Sequence, residues 1–344
     1  MTRYIIRRLL QAIPLLFFVS LVIFTLMQNM GDPLATMGGR NVTRAEDRER
    51  LTRQLGLDKP IIVQYLYWLI GNDWTKVDLD GDGTAETPGT RKGVLRGDFG
   101  TSLVNRGRPV LEVIWDRLPN TLLLMLAAEA VIIIGAMVIG IYSALRQYSA
   151  ADNIITTISF IGYSMPIFFI ALSSIYIFSV YFKKWGLPYF PAVGMFDPQV
   201  GKTVSQVIWH MVLPIVSIAL ISFAGYSRYM RSTMLEVLNQ DYVRTAKSKG
   251  LPRRQVIFLH ALKNAALPIV TIIGLDLGLL LGGAVVTERI FAWPGMGRLF
   301  LDHVERSDTP VVMGILMLIA VAVIVFQILT DITYAWLDPR IRYK

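Results

Sequence analysis

The clearest metal-type pattern in this chain is a run of carboxylates at alternate positions. Asp78-Leu79-Asp80-Gly81-Asp82-Gly83, with Glu86 following, has the spacing by which Ca²⁺ loops arrange several oxygens around one turn. Such a loop carries a bidentate acid at its twelfth position, where this chain has Gly89, so Glu86 is the candidate substitute. The competing and preferred reading is a solvated, turn-rich insertion. A second candidate is Gly162-Tyr163-Ser164, which loosely resembles the serine site of an intramembrane protease. That chemistry needs a base at the same depth, and His210, His260 and His303 all fall in loops or at the edges of apolar runs. Ser164-Met165-Pro166 is therefore read as a kink, with the hydroxyl and neighbouring helices satisfying the freed backbone groups. No Walker A pattern, H-E-x-x-H or G-x-S-x-G occurs, so the chain does not bind ATP through a P-loop. Cysteine is absent, which excludes disulfides and thiolate metal sites.

The elements that must position these residues are apolar. Of the 344 residues 53% are hydrophobic and 17% charged, with a mean hydropathy of +0.50. A soluble domain carries about 25% charge. The net charge of +9 does not mark a nucleic-acid binder, because the basic residues lie between long apolar runs rather than on one soluble face. Spanning a bilayer takes roughly 20 apolar residues, and six runs qualify: Leu9–Met27, Thr121–Leu145, Ile154–Tyr181, Met211–Tyr229, Ala265–Thr287 and Val311–Trp336. The first follows Arg3, Arg7 and Arg8 but is longer than a signal-peptide core and precedes no small-x-small site, so it reads as a retained helix.

Lys and Arg concentrate at the N-terminus, at Arg146, from Arg228 to Lys263 and in the tail Arg340, Arg342, Lys344. These alternate onto one side, opposed only by Asp152, Glu236, Asp241 and Asp338. That side is expected to be cytoplasmic, with both termini inside. The fold class is thus an all-α polytopic membrane protein of six transmembrane helices. Its expected divisions are a first helix (1–27), an extracytoplasmic segment with small helices and the Asp/Gly-rich insert (28–117), a five-helix core (118–338) and a cytoplasmic tail (339–344). In the external segment Leu51, Leu55, Ile62, Tyr65, Leu66 and Leu69 recur at helical spacing, and Asp58-Lys59-Pro60 is a start signal for the second small helix.

Two carboxylates fall inside spans, where ionisable groups are expensive and face protein or a water-filled cavity. Glu129 reads as structural. Asp276 sits at mid-depth of the fifth span, beside Gly274, Gly278 and Gly282, which form overlapping G-x-x-x-G steps for close helix packing. At 3.6 residues per turn the glycines point roughly 160° away from Asp276. Asp276 either lines a translocation path with Ser164 and Pro166 or is hydrogen-bonded to another helix or a partner subunit, the latter being preferred.

The segment between spans four and five is the most informative. Asp241-Tyr242-Val243-Arg244-Thr245-Ala246-Lys247-Ser248-Lys249-Gly250 reads as a short basic helix closed by a C′ glycine. Leu251-Pro252 then restarts a helix from Arg253 to about Leu262. A positive-inside loop explains the charge but not a helix–Gly–helix with Tyr242, Val243, Val256, Ile257 and Leu259 among the charges. That layout suits a lever docked into a soluble partner.

These residues, followed by His260-Ala261-Leu262-Lys263-Asn264-Ala265 and Pro268, closely resemble the EAA loop (here about 232–264) of dipeptide/oligopeptide ABC transporter permeases. Further blocks agree: Leu55 to Pro60, Gly97-Asp98-Phe99-Gly100 with Arg117 to Thr121, and Thr287-Glu288-Arg289-Ile290-Phe291 through Trp293-Pro294-Gly295-Met296-Gly297 to Asp308. Arg244 stands where the general pattern has Glu, and the insert around Lys76–Lys92 lies outside the family pattern. The resemblance implies a type I ABC importer fold in the inner membrane of a prokaryote. It also implies partners: a second homologous permease, two ATPase subunits that carry ATP and Mg²⁺, and an extracytoplasmic substrate-binding protein. Asp241, Tyr242, Arg244, Thr245, Ala246, Lys249, Gly250 and Leu251 would couple to one ATPase, and this chain would be non-catalytic, with no cofactor beyond the candidate Ca²⁺. The alternative is a channel or secondary transporter without ATPases, for which matching broken helices in two halves would be expected and none is seen.

Overall fold

The computed structural model describes residues 2–29, 49–50, 52–54, 56–78, 84–105 and 107–337. Among these the chain is helical, apart from one two-stranded ladder and an isolated bridge. In chain order the elements are α1 (Thr2–Asn29), α2 (Ile61–Ile70), β1 (Lys76–Val77), β2 (Thr87–Pro88), α3 (Val110–Trp115), α4 (Leu118–Leu145) and α5 (Ala150–Ser164). They continue with α6 (Ile167–Lys184), α7 (Val204–Leu238), α8 (Asp241–Ser248), α9 (Arg253–Ala265), α10 (Leu267–Leu280), α11 (Val285–Ile290), α12 (Met296–Val304) and α13 (Thr309–Leu337).

Among the described residues five helices are long and apolar enough to cross a membrane, and the pair α9–α10, bent by 49°, makes a sixth if taken as one span. Pro268, which has no N–H to continue the ladder, stands two residues past the bend. The third expected span is two helices: α5 stops at Ser164, and Pro166 caps α6 in extended backbone. The fifth is shorter than expected. Helix α10 ends at Leu280, and a turn separates it from α11, so Gly282 is not part of a helical packing face.

The contacts divide the chain into two units, one of residues 1–8, 120–298 and 322–344, the other of 9–119 and 299–321. The first has a core of Met125, Ala128, Ile132 and Ala136 from α4, Ile218, Ala219, Tyr226, Met230 and Met234 from α7, and Ile257, Ala261, Ala265 and Ile269 further on. Small residues on α4 let α7 approach closely. The second unit buries Phe24 and Met27 of α1, Tyr65 and Trp68 of α2, and Val312, Met313 and Met317 of α13 together. In α2 the inward stripe runs through Tyr65, Trp68 and Leu69, while Ile62 is 70% exposed, so the expected stripe was rotated. Leu51 and Leu55 lie outside the described residues. The ladder Lys76–Pro88 and Val77–Thr87 closes the base of the insert.

Candidate functional site

The segment 241–265 folds as a two-helix unit. Helix α8 buries Val243 and Ala246 against Val256 of α9, with Val237, Leu238 and Leu251 around them. Asp241, Tyr242, Arg244, Thr245, Lys247, Ser248 and Lys249 face outward. Asp241 and Arg244 form an exposed i,i+3 ion pair at 3.7 Å, and Thr245 Oγ1 donates back to the Asp241 carbonyl at 2.9 Å. Lys249 ends the helix and Gly250 follows at φ 75°, a left-handed position that side chains resist, with its N–H donating to the Lys247 carbonyl. Across the turn, Asn264 Nδ2 donates to the Tyr242 hydroxyl at 2.8 Å. Phe258 and Leu259 of α9 remain exposed, so the unit presents apolar and basic groups together while its inner face is already covered. Residues 256–261 of α9 form a π-helical turn, a feature often found at functional positions.

The intramembrane carboxylates meet on one phenol. Tyr226 of α7 lies 2.5 Å from Asp276 Oδ2 and 3.0 Å from Glu129 Oε1. One O–H can donate to one of them at a time. Asp276 is half-buried and Glu129 buried, so both are tied to another helix. Gly274 and Gly278 face the other way, toward α13. A Cβ on Gly278 would sit 2.7 Å from Val323 Cα, and one on Gly274 would collide with the Thr330 side chain. Ser164 Oγ donates to the Phe160 carbonyl at 2.8 Å, one turn back within α5.

Glu288 of α11, part of the Thr287–Phe291 block, is fully buried. Its Oε1 accepts from Thr121 Oγ1 at 2.8 Å and its Oε2 from the Arg298 amide at 3.1 Å. Thr121 Oγ1 in turn accepts from the Met296 amide at 2.6 Å, and Trp293 Nε1 donates to the Asn120 carbonyl at 3.0 Å. A side chain at Gly295 would strike the Glu288 carboxylate. Burial pushes the Glu288 carboxyl above the usual range, against the hydrogen bonds it accepts. In the other unit Asp308, also fully buried, accepts from Ser102 Oγ at 2.5 Å and from the Leu103 and Val104 amides at 3.1 and 3.2 Å.

Asp152, at the start of α5, is held by Arg231 of α7 through Nε at 3.2 Å and Nη2 at 3.0 Å. Its Oδ2 also accepts from the Tyr148 amide at 3.0 Å. Burial opposes its ionisation, but the Arg231 guanidinium and the Tyr148 amide outweigh that and hold its carboxyl below the usual range. Of the calcium candidates, Asp80 and Asp82 lie outside the described residues. Asp78 and Glu86 flank that gap, and among the described residues no group of three or more His, Asp or Glu is arranged for a metal ion.

Residues 136–343 match the family described as binding-protein-dependent transport system inner membrane component, and residues 1–125 match the N-terminal region of such components. The chain belongs to that family. It is 42% identical over 344 residues to the oligopeptide transport system permease protein AppB of Bacillus subtilis, with 100% of both chains covered. It is 40% identical to a putative peptide permease protein of Brucella suis, with 99% of both covered. To the dipeptide transport system permease protein DppB of Escherichia coli it is 36% identical over 366 residues, with 100% of both covered. This permease is therefore a multi-pass inner-membrane component of an ABC importer, and the resemblance carried by the 241–268 segment holds along the whole chain.

Proposed function

We propose that this permease moves dipeptides or oligopeptides across the cytoplasmic membrane, with α8 and the following turn seated in a groove of a partner ATPase. The observation that carries the coupling role is the two-sided α8: its apolar face is satisfied within the chain, while Tyr242, Arg244, Thr245 and Lys249 are presented outward on a rigid helix that α9 continues toward α10. Closure of two ATPases would push this lever, and the 49° bend would pass the motion to α10. The peptide substrate is supported by the names of the full-length relatives. In this reading ATP and Mg²⁺ act on the partner chains, a second homologous permease completes the path, a binding protein delivers the substrate outside, and both termini are cytoplasmic. The chain itself has no catalytic role.

The test is Gly250→Val in the assembled importer. A side chain resists the left-handed turn, so α8 should lose its seating: the subunit stays inserted, peptide uptake falls, and ATP hydrolysis no longer tracks it. Normal uptake by this variant would remove the coupling assignment.

A further inference from the structure

A cavity apart from the coupling segment and the Glu288 cluster has the Asp152–Arg231 pair in its wall. It lies between α4, α5 and α7, on the half of α7 nearer the coupling segment, and holds about 320 Å³. Helix α5 is two-faced there. Asn153, Thr156, Ser159 and Tyr163 line the cavity, while Ile154, Ile158 and Ile161 stand exposed on its other sides. Acyl chains would take the isoleucines; a polar face at membrane depth calls for water or a polar ligand. The lining is also short of partners. The Thr156 and Ser159 hydroxyls have no hydrogen-bond partner among the described residues, while Ser143 Oγ of α4 lies beside the Asp152 carboxylate.

The charge balance selects the ligand. Arg231 is spent on Asp152, held through two of its nitrogens. Arg228 lies 5.8 Å over the Phe160 ring, and among the described residues no carboxylate pairs with it. The cavity thus carries one uncommitted guanidinium, whose planar fork matches a carboxylate. The volume is at the small end for ligand pockets, enough for one end of a peptide.

We infer that this cavity is a station on the transport path that receives the C-terminal α-carboxylate of the passing peptide, with Arg228 as its anchor and the α5 hydroxyls as secondary donors. The inference rests on the proposal that this permease carries peptides. A single anchor on an open cavity is also what passage demands, since a ligand must leave as readily as it enters.

The chain contains no cysteine, which makes a clean probe available. Thr156→Cys, in the full importer in liposomes, is treated with a sulfonate and with a trimethylammonium methanethiosulfonate, and labelling of this chain is read by mass spectrometry. The anionic reagent should react about tenfold faster, and Arg228→Gln should abolish that preference. Millimolar alanyl-alanine should slow labelling, and its C-terminal amide should not. Equal protection by the amide, or a preference unmoved by Arg228→Gln, would overturn the assignment. So would protection that depends on replacing phosphatidylcholine with phosphatidylglycerol and not on the peptide, which would make the cavity a lipid-headgroup site. Ser159→Cys repeats the measurement if the first variant fails to assemble. Uptake of labelled alanyl-alanine by the same liposomes separates the two readings. Uptake without carboxylate-dependent protection sinks only the station, whereas absence of peptide uptake sinks both.

Discussion

In the coupling segment every described contact that fixes α8 comes from residues 237–264, and its outer face is left to a partner. Glu288 is held instead by Thr121, 167 residues earlier, and by the amide of Arg298, and it presents nothing outward. The coupling segment is a local structure with an external purpose. The Glu288 cluster is a long-range structure with an internal one, a polar knot that joins the start of α4 to the chain around α11 and α12. A local unit can be altered without unfolding the protein; a buried polar knot cannot, because each partner left behind is stranded away from water.

The largest expected effect follows from that contrast. Glu288→Ala leaves the Thr121 hydroxyl and the Arg298 amide without their acceptor, and should cost roughly 3–5 kcal/mol. This would be read as loss of folded subunit from the assembled importer and a lowered Tm in detergent. Glu288→Gln should cost less and sharpen the point through pH. The folded carboxyl titrates above its unfolded value, so its contribution is complete below about pH 4.3 and is lost as pH rises through the folded value. Stability should therefore decline across that window in the wild type and flatten in Glu288→Gln. An unchanged slope would assign the decline to other groups.

Next in size is Gly278→Leu, which forces side-chain atoms against the Val323 backbone and should cost about 1–3 kcal/mol or more, seen as reduced assembly. Gly250→Val belongs to the other region and should break the correlation between stability and function. Its turn lies in open space, so the melt should drop by no more than about 1–2 kcal/mol while uptake is lost. A large stability loss there would mean that the coupling segment is part of the folding core after all. Asp276→Asn keeps an acceptor for Tyr226 and should shift stability by about 1 kcal/mol or less. Unaltered uptake would place Asp276 with the structural carboxylates, and altered uptake would place it on the path.

The smallest effect is reserved for the insert. Weak calcium binding at Asp78, Asp80 and Asp82 is proposed, with an affinity of about 10⁻⁴–10⁻³ M suiting an extracytoplasmic site. Millimolar Ca²⁺ should then protect residues 76–88 from proteolysis in the intact importer without changing uptake, and Asp80→Ala with Asp82→Ala should remove the protection. Identical cleavage with and without calcium would leave the insert a solvated loop.

Features that depend on neighbours in sequence were legible from the start. Apolar run lengths gave the spans, Ser164-Met165-Pro166 the break between α5 and α6, and Lys249-Gly250-Leu251-Pro252 the turn between two short helices. The spans rest on side-chain hydrophobicity and the two breaks on backbone preferences, both of which a residue carries with it wherever it is placed. The spacing of Gly274 and Gly278 likewise announced a close helix contact, but not that α13 makes it, nor that α10 stops before Gly282. Glu288 sits in a stretch of ordinary loop polarity, and nothing near it in sequence says that it is buried beneath Thr121. In sequence Asp152 is one acid among basic charges; its pairing with Arg231 follows from the packing of α5 on α7. The Asp276–Tyr226–Glu129 contact and the Arg228 cavity are decided the same way, by which helix faces which. Periodicity fixes the direction a side chain takes from its own axis; only the packed arrangement of axes determines what it meets.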